Sequence, residues 1–146
     1  MIFWDASAII PLVLSEPTSG SVQVAFEQDA EMTVWWGTPV ECESALARNE
    51  RHRTVSVRAI ERARRRLMSL QGAWDEIHPS DPIRELARTL LRRYPLRAGD
   101  ALQLAAATAW AEGRPPGNAV VTLDKRLADA ARTEGFELVL PLDEES

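Results

Sequence analysis

Four acidic residues occupy positions where a charge is awkward. Asp5 closes the apolar run Ile2-Phe3-Trp4, and Asp124 closes Ala119-Val120-Val121-Thr122-Leu123. Asp100 opens the uncharged stretch from Ala101 to Ala111, and Glu41 follows the apolar run Met32 to Trp36. Acids beside core elements lose hydration and repel one another where they converge. At about 5 Å and an effective dielectric near 20, each carboxylate pair repels by roughly 3 kcal/mol. Protons or cations relieve that repulsion, and an all-oxygen ligand set suits a hard divalent metal. The set therefore points to a metal-dependent enzyme acting on phosphate esters. Each acid also has an ordinary explanation. Asp100 and Asp124 can cap helices, Asp5 can sit in a turn, and Glu41 can be a first-turn glutamate favoured by the helix dipole. The chemical reading rests on the four together.

The elements that must position these acids are readable from apolar runs and turn residues. Strands are expected at 1–5, 32–36, 119–123 and 136–140, with a short one at 74–78. Helices are expected at 20–29, 39–51, 55–71, 82–93, 98–112 and 125–134. Pro11, Pro17 and Gly20 punctuate the approach to the first helix, Thr38 and Pro39 open the second, and Gly72 ends the third. The helix from Ala98 has almost no polar face and should be central. Trp35 and Trp36 should point to opposite sides of their strand, one into the core and one toward a partner. Strands alternating with helices imply a parallel sheet covered on both sides, with ligands beyond the strand C-termini. Asp5 and Asp124 lie at those ends.

A chain of 146 residues is one ordinary domain able to bury a core, here 1–141, followed by an acidic tail, 142–146, that should fray. Cys42 is the only cysteine, which excludes a disulfide framework and a thiolate metal cluster and fits a reducing cytoplasm. The start lacks a signal-peptide pattern, and no apolar stretch reaches the ~18 residues of a membrane span. Residues 48–66 hold eight arginines against two glutamates, +6 in a chain of net charge −5, which leaves −11 elsewhere. That asymmetry suggests one basic surface on an acidic body. Its arginines, Arg48, Arg51, Arg53, Arg62 and Arg65 among them, suit phosphate or carboxylate and could meet RNA or an acidic partner. His52 and His78 fit no ligand pattern and should lie on the surface.

The chain resembles a known family. Met1-Ile2-Phe3-Trp4-Asp5-Ala6-Ser7-Ala8 is similar to the opening of a PIN domain, a strand ending in Asp-x-Ser. Val40-Glu41-Cys42-Glu43-Ser44-Ala45-Leu46-Ala47-Arg48 is similar to its Glu-x-x-x-Ala-Leu-x-Arg helix. Asp100-Ala101-Leu102-Gln103-Leu104-Ala105 resembles its Asp-Ala-Leu-x-Leu-Ala helix, and Thr122-Leu123-Asp124-Lys125-Arg126-Leu127-Ala128-Asp129-Ala130-Ala131 its Thr-x-Asp-x-x-Leu-x-x-Ala-Ala motif. Gly135 with Val139-Leu140-Pro141 fits the closing strand. Each motif is weak alone, but four in order over nearly the whole chain are specific. Size and order look most like VapC-type toxins of bacterial toxin–antitoxin pairs.

The resemblance implies a three-layer α/β/α domain with a central, mainly parallel sheet. It implies an endoribonuclease dependent on Mg²⁺ or Mn²⁺, with Asp5, Glu41, Asp100 and Asp124 as metal ligands and Ser7 and Thr122 orienting carboxylates or a phosphate. It also implies an RNA substrate, a cognate antitoxin and a homodimer. Glu41 fits the motif spacing better than Glu43, which stays in reserve, since residues two apart on a helix do not share a face. A haloacid-dehalogenase-like phosphatase would carry a second Asp where Ser7 stands. A receiver domain would not place its lysine directly after Asp124. The alternatives left are a PIN-fold binding module without activity and a DNA-directed nuclease, since these residue types do not reveal whether a 2′-hydroxyl is read.

Overall fold

The computed structural model describes residues 1–140. The expected acidic tail, 142–146, and Pro141 lie outside the described residues. Five strands form one sheet in the order β3-β2-β1-β4-β5, and every pairing is parallel. The strands are β1 (Ile2–Trp4), β2 (Met32–Trp35), β3 (Asp75–Ile77), β4 (Ala119–Val121) and β5 (Glu137–Leu138). The helices are α1 (Ala6–Val13), α2 (Ser19–Gln28), α3 (Thr38–His52), α4 (Val57–Ala73), α5 (Asp81–Arg93), α6 (Ala98–Trp110) and α7 (Lys125–Glu134).

The three-layer arrangement follows from the two-residue period of the strands. Successive side chains of a strand point to opposite faces of the sheet. Ile2 and Trp4 of β1 join one core, with Met32, Val34 and Val121 and with residues of α1 to α4. Phe3 joins the other, with Trp35 and Val120 and with residues of α5, α6 and α7. A sheet buried on both faces reads as continuous apolar runs rather than alternation, which is the character of Ile2-Phe3-Trp4 and Ala119-Val120-Val121.

Three local readings need correction. The segment after Asp5 was expected only as an approach to a helix, yet it forms α1, with Pro11 inside. Asp5 caps α1 through the Ser7 amide. Pro11 has no N–H for the carbonyl four residues back, and α1 stops two residues later at Val13. Gly72 does not end α4, which runs on to Ala73. Thr38 is not the cap of α3. Gly37 is, and Thr38 begins the helix with its side chain fully buried. Gly37 is required there: a Cβ would lie 2.6 Å from the Trp35 indole nitrogen. Trp35 is buried and Trp36 is 53% exposed. Their rings meet edge to face, with centroids 6.5 Å apart.

The helix from Ala98 is central as its composition suggests. Ala101 and the run Gln103 to Ala107 are all buried. Gly135 ends α7 in the left-handed conformation, φ 112°, which glycine adopts without a Cβ clash. Among the described residues no helix is long and apolar enough to cross a membrane.

Candidate active site

Four helix N-termini meet at the C-terminal edge of the sheet, and each brings one acid. Asp5 follows β1 directly and caps α1. Glu41 lies in the first turn of α3, just after β2. Asp100 is in the first turn of α6, and its Oδ2 accepts from the Arg97 amide at 3.4 Å. Asp124 follows β4 and caps α7, its Oδ1 accepting from the Leu127 amide at 3.1 Å. The cap roles are thus real, and they are also what brings the acids together. A parallel sheet places the turns after β1, β2 and β4 on one edge, and the turn from α5 to α6 brings Asp100 to the same cavity. Helix N-termini carry partial positive charge that offsets part of the repulsion between the carboxylates.

The four acids line a single open cavity of about 490 Å³, with Ser7, Arg48 and Arg97 also on its wall. Asp5 is 4% exposed. Its Oδ2 accepts from the Ser7 hydroxyl at 2.6 Å, the Thr122 hydroxyl at 2.8 Å and the Ser7 amide at 3.4 Å. Those hydroxyls are themselves fixed, because Ser7 Oγ accepts from the Leu123 amide at 2.8 Å and Thr122 Oγ1 from the Asp124 amide at 3.1 Å. One network therefore locks the end of β1 to the end of β4. Glu41 Oε2 accepts from the Gln103 side-chain amide at 3.3 Å. Glu43 points away, exposed, and its Oε2 pairs with Arg64 at 2.9 Å.

Burial and, second to it, the charges of neighbouring acids raise the carboxyls of Asp5, Glu41 and Asp100. Burial pushes the Asp5 carboxyl above its ordinary value, and the charge of Asp124 adds to the shift. Glu41 is pushed up to about 7, first by burial and then by the charges of Asp5 and Asp100. Asp100 is raised by burial, then by Asp124 and Asp5. The Cys42 thiol beside them is pushed up to about 12, mainly by burial, and stays protonated. A thiolate nucleophile is not on offer.

Each acid uses one oxygen for the fold. Among the described residues, Asp5 Oδ1, Glu41 Oε1, Asp100 Oδ1 and Asp124 Oδ2 accept no hydrogen bond. Among the described residues no group of three or more His, Cys, Asp or Glu side chains is placed, as it stands, to hold a metal ion by itself. An open, oxygen-only cluster suits Mg²⁺ or Mn²⁺ better than a structural metal. Mg²⁺ is held through one or two carboxylates and keeps coordination positions for water and phosphate oxygens. The donor set and the mutual repulsion both fit such an ion.

Of the arginines singled out in the sequence, only Arg48 reaches this cavity. Arg51 lines an apolar groove beside it, with Pro39, Val40 and Ala47. Arg53, Arg62 and Arg65 are exposed and line neither. His52 and His78 are exposed. Sequence reading missed Arg97, Gln103 and Thr38. The available signal was a lone glutamine in an alanine-rich run, one helical turn after Asp100.

Comparison with known proteins agrees with this fold. Residues 2–133 match the PIN domain family. A search among curated proteins finds no significant match. Solved structures do match. A toxin–antitoxin complex from Klebsiella pneumoniae aligns at 20% identity and TM-score 0.62, over 88% of this chain and 91% of that one. VapC20 from Mycobacterium tuberculosis, described as a sarcin-ricin loop cleaving toxin, aligns at 18% identity and TM-score 0.65, over 89% and 95%. VapBC2 from Rickettsia felis, bound to a DNA fragment from its promoter, aligns at 14% identity and TM-score 0.67, over 94% and 98%. At these identities the structures speak for the fold, and the family match speaks for descent: the chain belongs to the PIN domain family.

Proposed function

We propose that this protein is a metal-dependent endoribonuclease that hydrolyses RNA phosphodiester bonds, and that it is the toxin of a toxin–antitoxin pair. The observation that carries the reading is the set of four carboxylates lining one open cavity, each with one oxygen engaged by the fold and the other without a hydrogen bond among the described residues. Asp5, Glu41, Asp100 and Asp124 are the groups to hold Mg²⁺ or Mn²⁺, directly or through water. The bound ion would supply positive charge for the phosphoryl transition state and lower the pKa of a water. Ser7 and Thr122 keep Asp5 in one orientation. Arg48 and Arg97, on the cavity wall, are placed to meet substrate phosphates.

The toxin reading draws on the solved structures of similar fold, among them the toxin–antitoxin complex from Klebsiella pneumoniae. An antitoxin with a basic side chain would fit the same cavity. Such a group among the carboxylates would inhibit by taking the place of metal charge. Pairing into a homodimer belongs to the same reading.

The test is cleavage of structured RNA by the purified protein without antitoxin, in Mn²⁺ and in EDTA, wild type beside Asp100→Asn and Asp5→Asn. Cutting that requires both the metal and the two aspartates is expected. A fully active Asp5→Asn protein would remove the metal-site assignment. No cutting and no Mn²⁺ binding would favour a PIN-fold binding module without activity.

A further inference from the structure

Gln103 is the one polar side chain in the buried face of α6, 1% exposed and set among Ala101, Leu104, Ala105, Ala106 and Ala107. It lies three residues after Asp100 and so shares its side of the helix. Its Nε2 donates to Glu41 Oε2 at 3.3 Å and to Thr38 Oγ1 at 3.0 Å. Both acceptors are in the first turn of α3. Its Oε1 is buried with no hydrogen-bond partner among the described residues. Gln103 and Asp5 also line a small cavity of about 10 Å³ with Phe3, Leu104 and Val120.

A buried amide with a half-satisfied polar end is a poor choice for stability. An unpaired buried carbonyl is unfavourable, and an apolar residue of similar length would fill the site without it. The amide is oriented with Nε2 toward Glu41; when that carboxylate is ionised, as a metal ligand is, a flip would bring Oε1 against its negative charge. Gln103 therefore presents an N–H to Glu41 that carries no charge. It fixes one oxygen of Glu41 without neutralising it, and leaves Oε1 of that carboxylate, beside Gly99, without a hydrogen bond.

We propose that Gln103 is a positioning residue for the metal site: it pins Glu41 Oε2 and so presents the other oxygen of Glu41 to a divalent cation. The inference rests on the metal reading given above. It concerns the contact that Gln103 of α6 makes with α3, whereas that reading concerns the four acids. Partners that orient a metal ligand typically change affinity 10–100-fold when removed.

The experiment is a double-mutant cycle read by Mn²⁺ affinity, using electron paramagnetic resonance or calorimetry on the purified full chain. The four proteins are wild type, Gln103→Met, Glu41→Gln and the double variant, each with a thermal melt. Gln103→Met is expected to weaken Mn²⁺ binding about tenfold and, because it also strips the buried Thr38 hydroxyl of its Gln103 partner, to lower the melting temperature by the same amount in both backgrounds. In the Glu41→Gln background the same change should have no effect on Mn²⁺. Gln103→Leu serves as a second apolar probe if the methionine variant folds poorly. An equal loss in both backgrounds, or an unchanged affinity in Gln103→Met, overturns the inference while leaving the metal site in place. Wild-type protein that binds no Mn²⁺ overturns both.

Discussion

Glu41 is the residue at which the site's electrostatics can be read from outside. Its carboxyl is pushed up from 4.5 to about 7. A carboxyl whose folded-state pKa lies above its unfolded value holds a proton in the folded state that the unfolded chain has released. Its stabilising effect is complete below the unfolded value and is lost as pH rises through the folded value. The window here runs from about 4.5 to about 7. Asp5 and Asp100 shift in the same direction and add to the same slope. In EDTA, the melting temperature of the wild type should therefore fall across that window, and Glu41→Gln should give a shallower fall. Mn²⁺ at pH 7.5 should raise the wild-type melting temperature, by mass action on the folded state, and restore what deprotonation removed. Parallel pH profiles for the two proteins would show that neither burial nor the neighbouring acids raise the Glu41 carboxyl. That Glu41 and not Glu43 lines the cavity was legible in its spacing to Ala45, Leu46 and Arg48, which fits the family motif; the spacing i and i+2 says only that both cannot face one side. Gln103 was not legible as a partner of Glu41, because that contact joins residues 62 apart in sequence.

At the scale of elements, the site depends on how strands hand over to helices. β1 passes to α1 through Asp5 alone, and β2 passes to α3 through Trp36 and Gly37. The second handover is tight. A methyl group on Gly37 would press on Trp35, which is buried in the core beneath α5 and α6. Gly37→Ala should cost about 1–3 kcal/mol, the usual range for overpacking a filled core, measured by urea denaturation. It should also weaken Mn²⁺ binding, since Glu41 begins only one helical turn further on. A variant with unchanged stability and affinity would mean that Trp35 can move freely. Most elements could be read from an apolar stripe at helical spacing, as along α4, or from a short continuous apolar run, as in β4. α1 could not. Ala6 and Ala8 to Leu12 are all buried, so no polar face marks a period, and Pro11 argued for a break. The end of α4 was misjudged for a related reason. Gly72 faces open space, with nothing within 4 Å of a Cβ, so the helix tolerates it at only the modest entropic cost of a glycine.

Across the whole molecule, charge is divided. The body is acidic, and the basic segment 48–66 falls on the end of α3 and on α4. The structure spends part of that segment internally. Arg64 bridges Glu43 and Glu50 on α3. Arg66 donates to the Leu12 carbonyl and lies over the Phe26 ring. Arg48, Arg51, Arg62 and Arg65 make no ion pair among the described residues. They differ in place: Arg48 lines the carboxylate cavity and Arg51 the adjoining groove, whereas Arg62 and Arg65 line neither. If RNA enters along the cavity, the first pair meets phosphate and the second stays a solvated face. Each phosphate contact on a single strand contributes about 0.7 to the slope of log affinity against log salt. With Asp100→Asn protein and a labelled single-stranded RNA, replacing Arg48 and Arg51 by alanine should reduce that slope by about 1.4. Replacing Arg62 and Arg65 should leave it unchanged. Fluorescence anisotropy at several salt concentrations reads both. The reverse pattern would put the RNA path along α4 and detach it from the groove beside the four acids. Loss of slope in both pairs would mean that the strand crosses from α4 into the cavity, a longer track than the cavity alone defines.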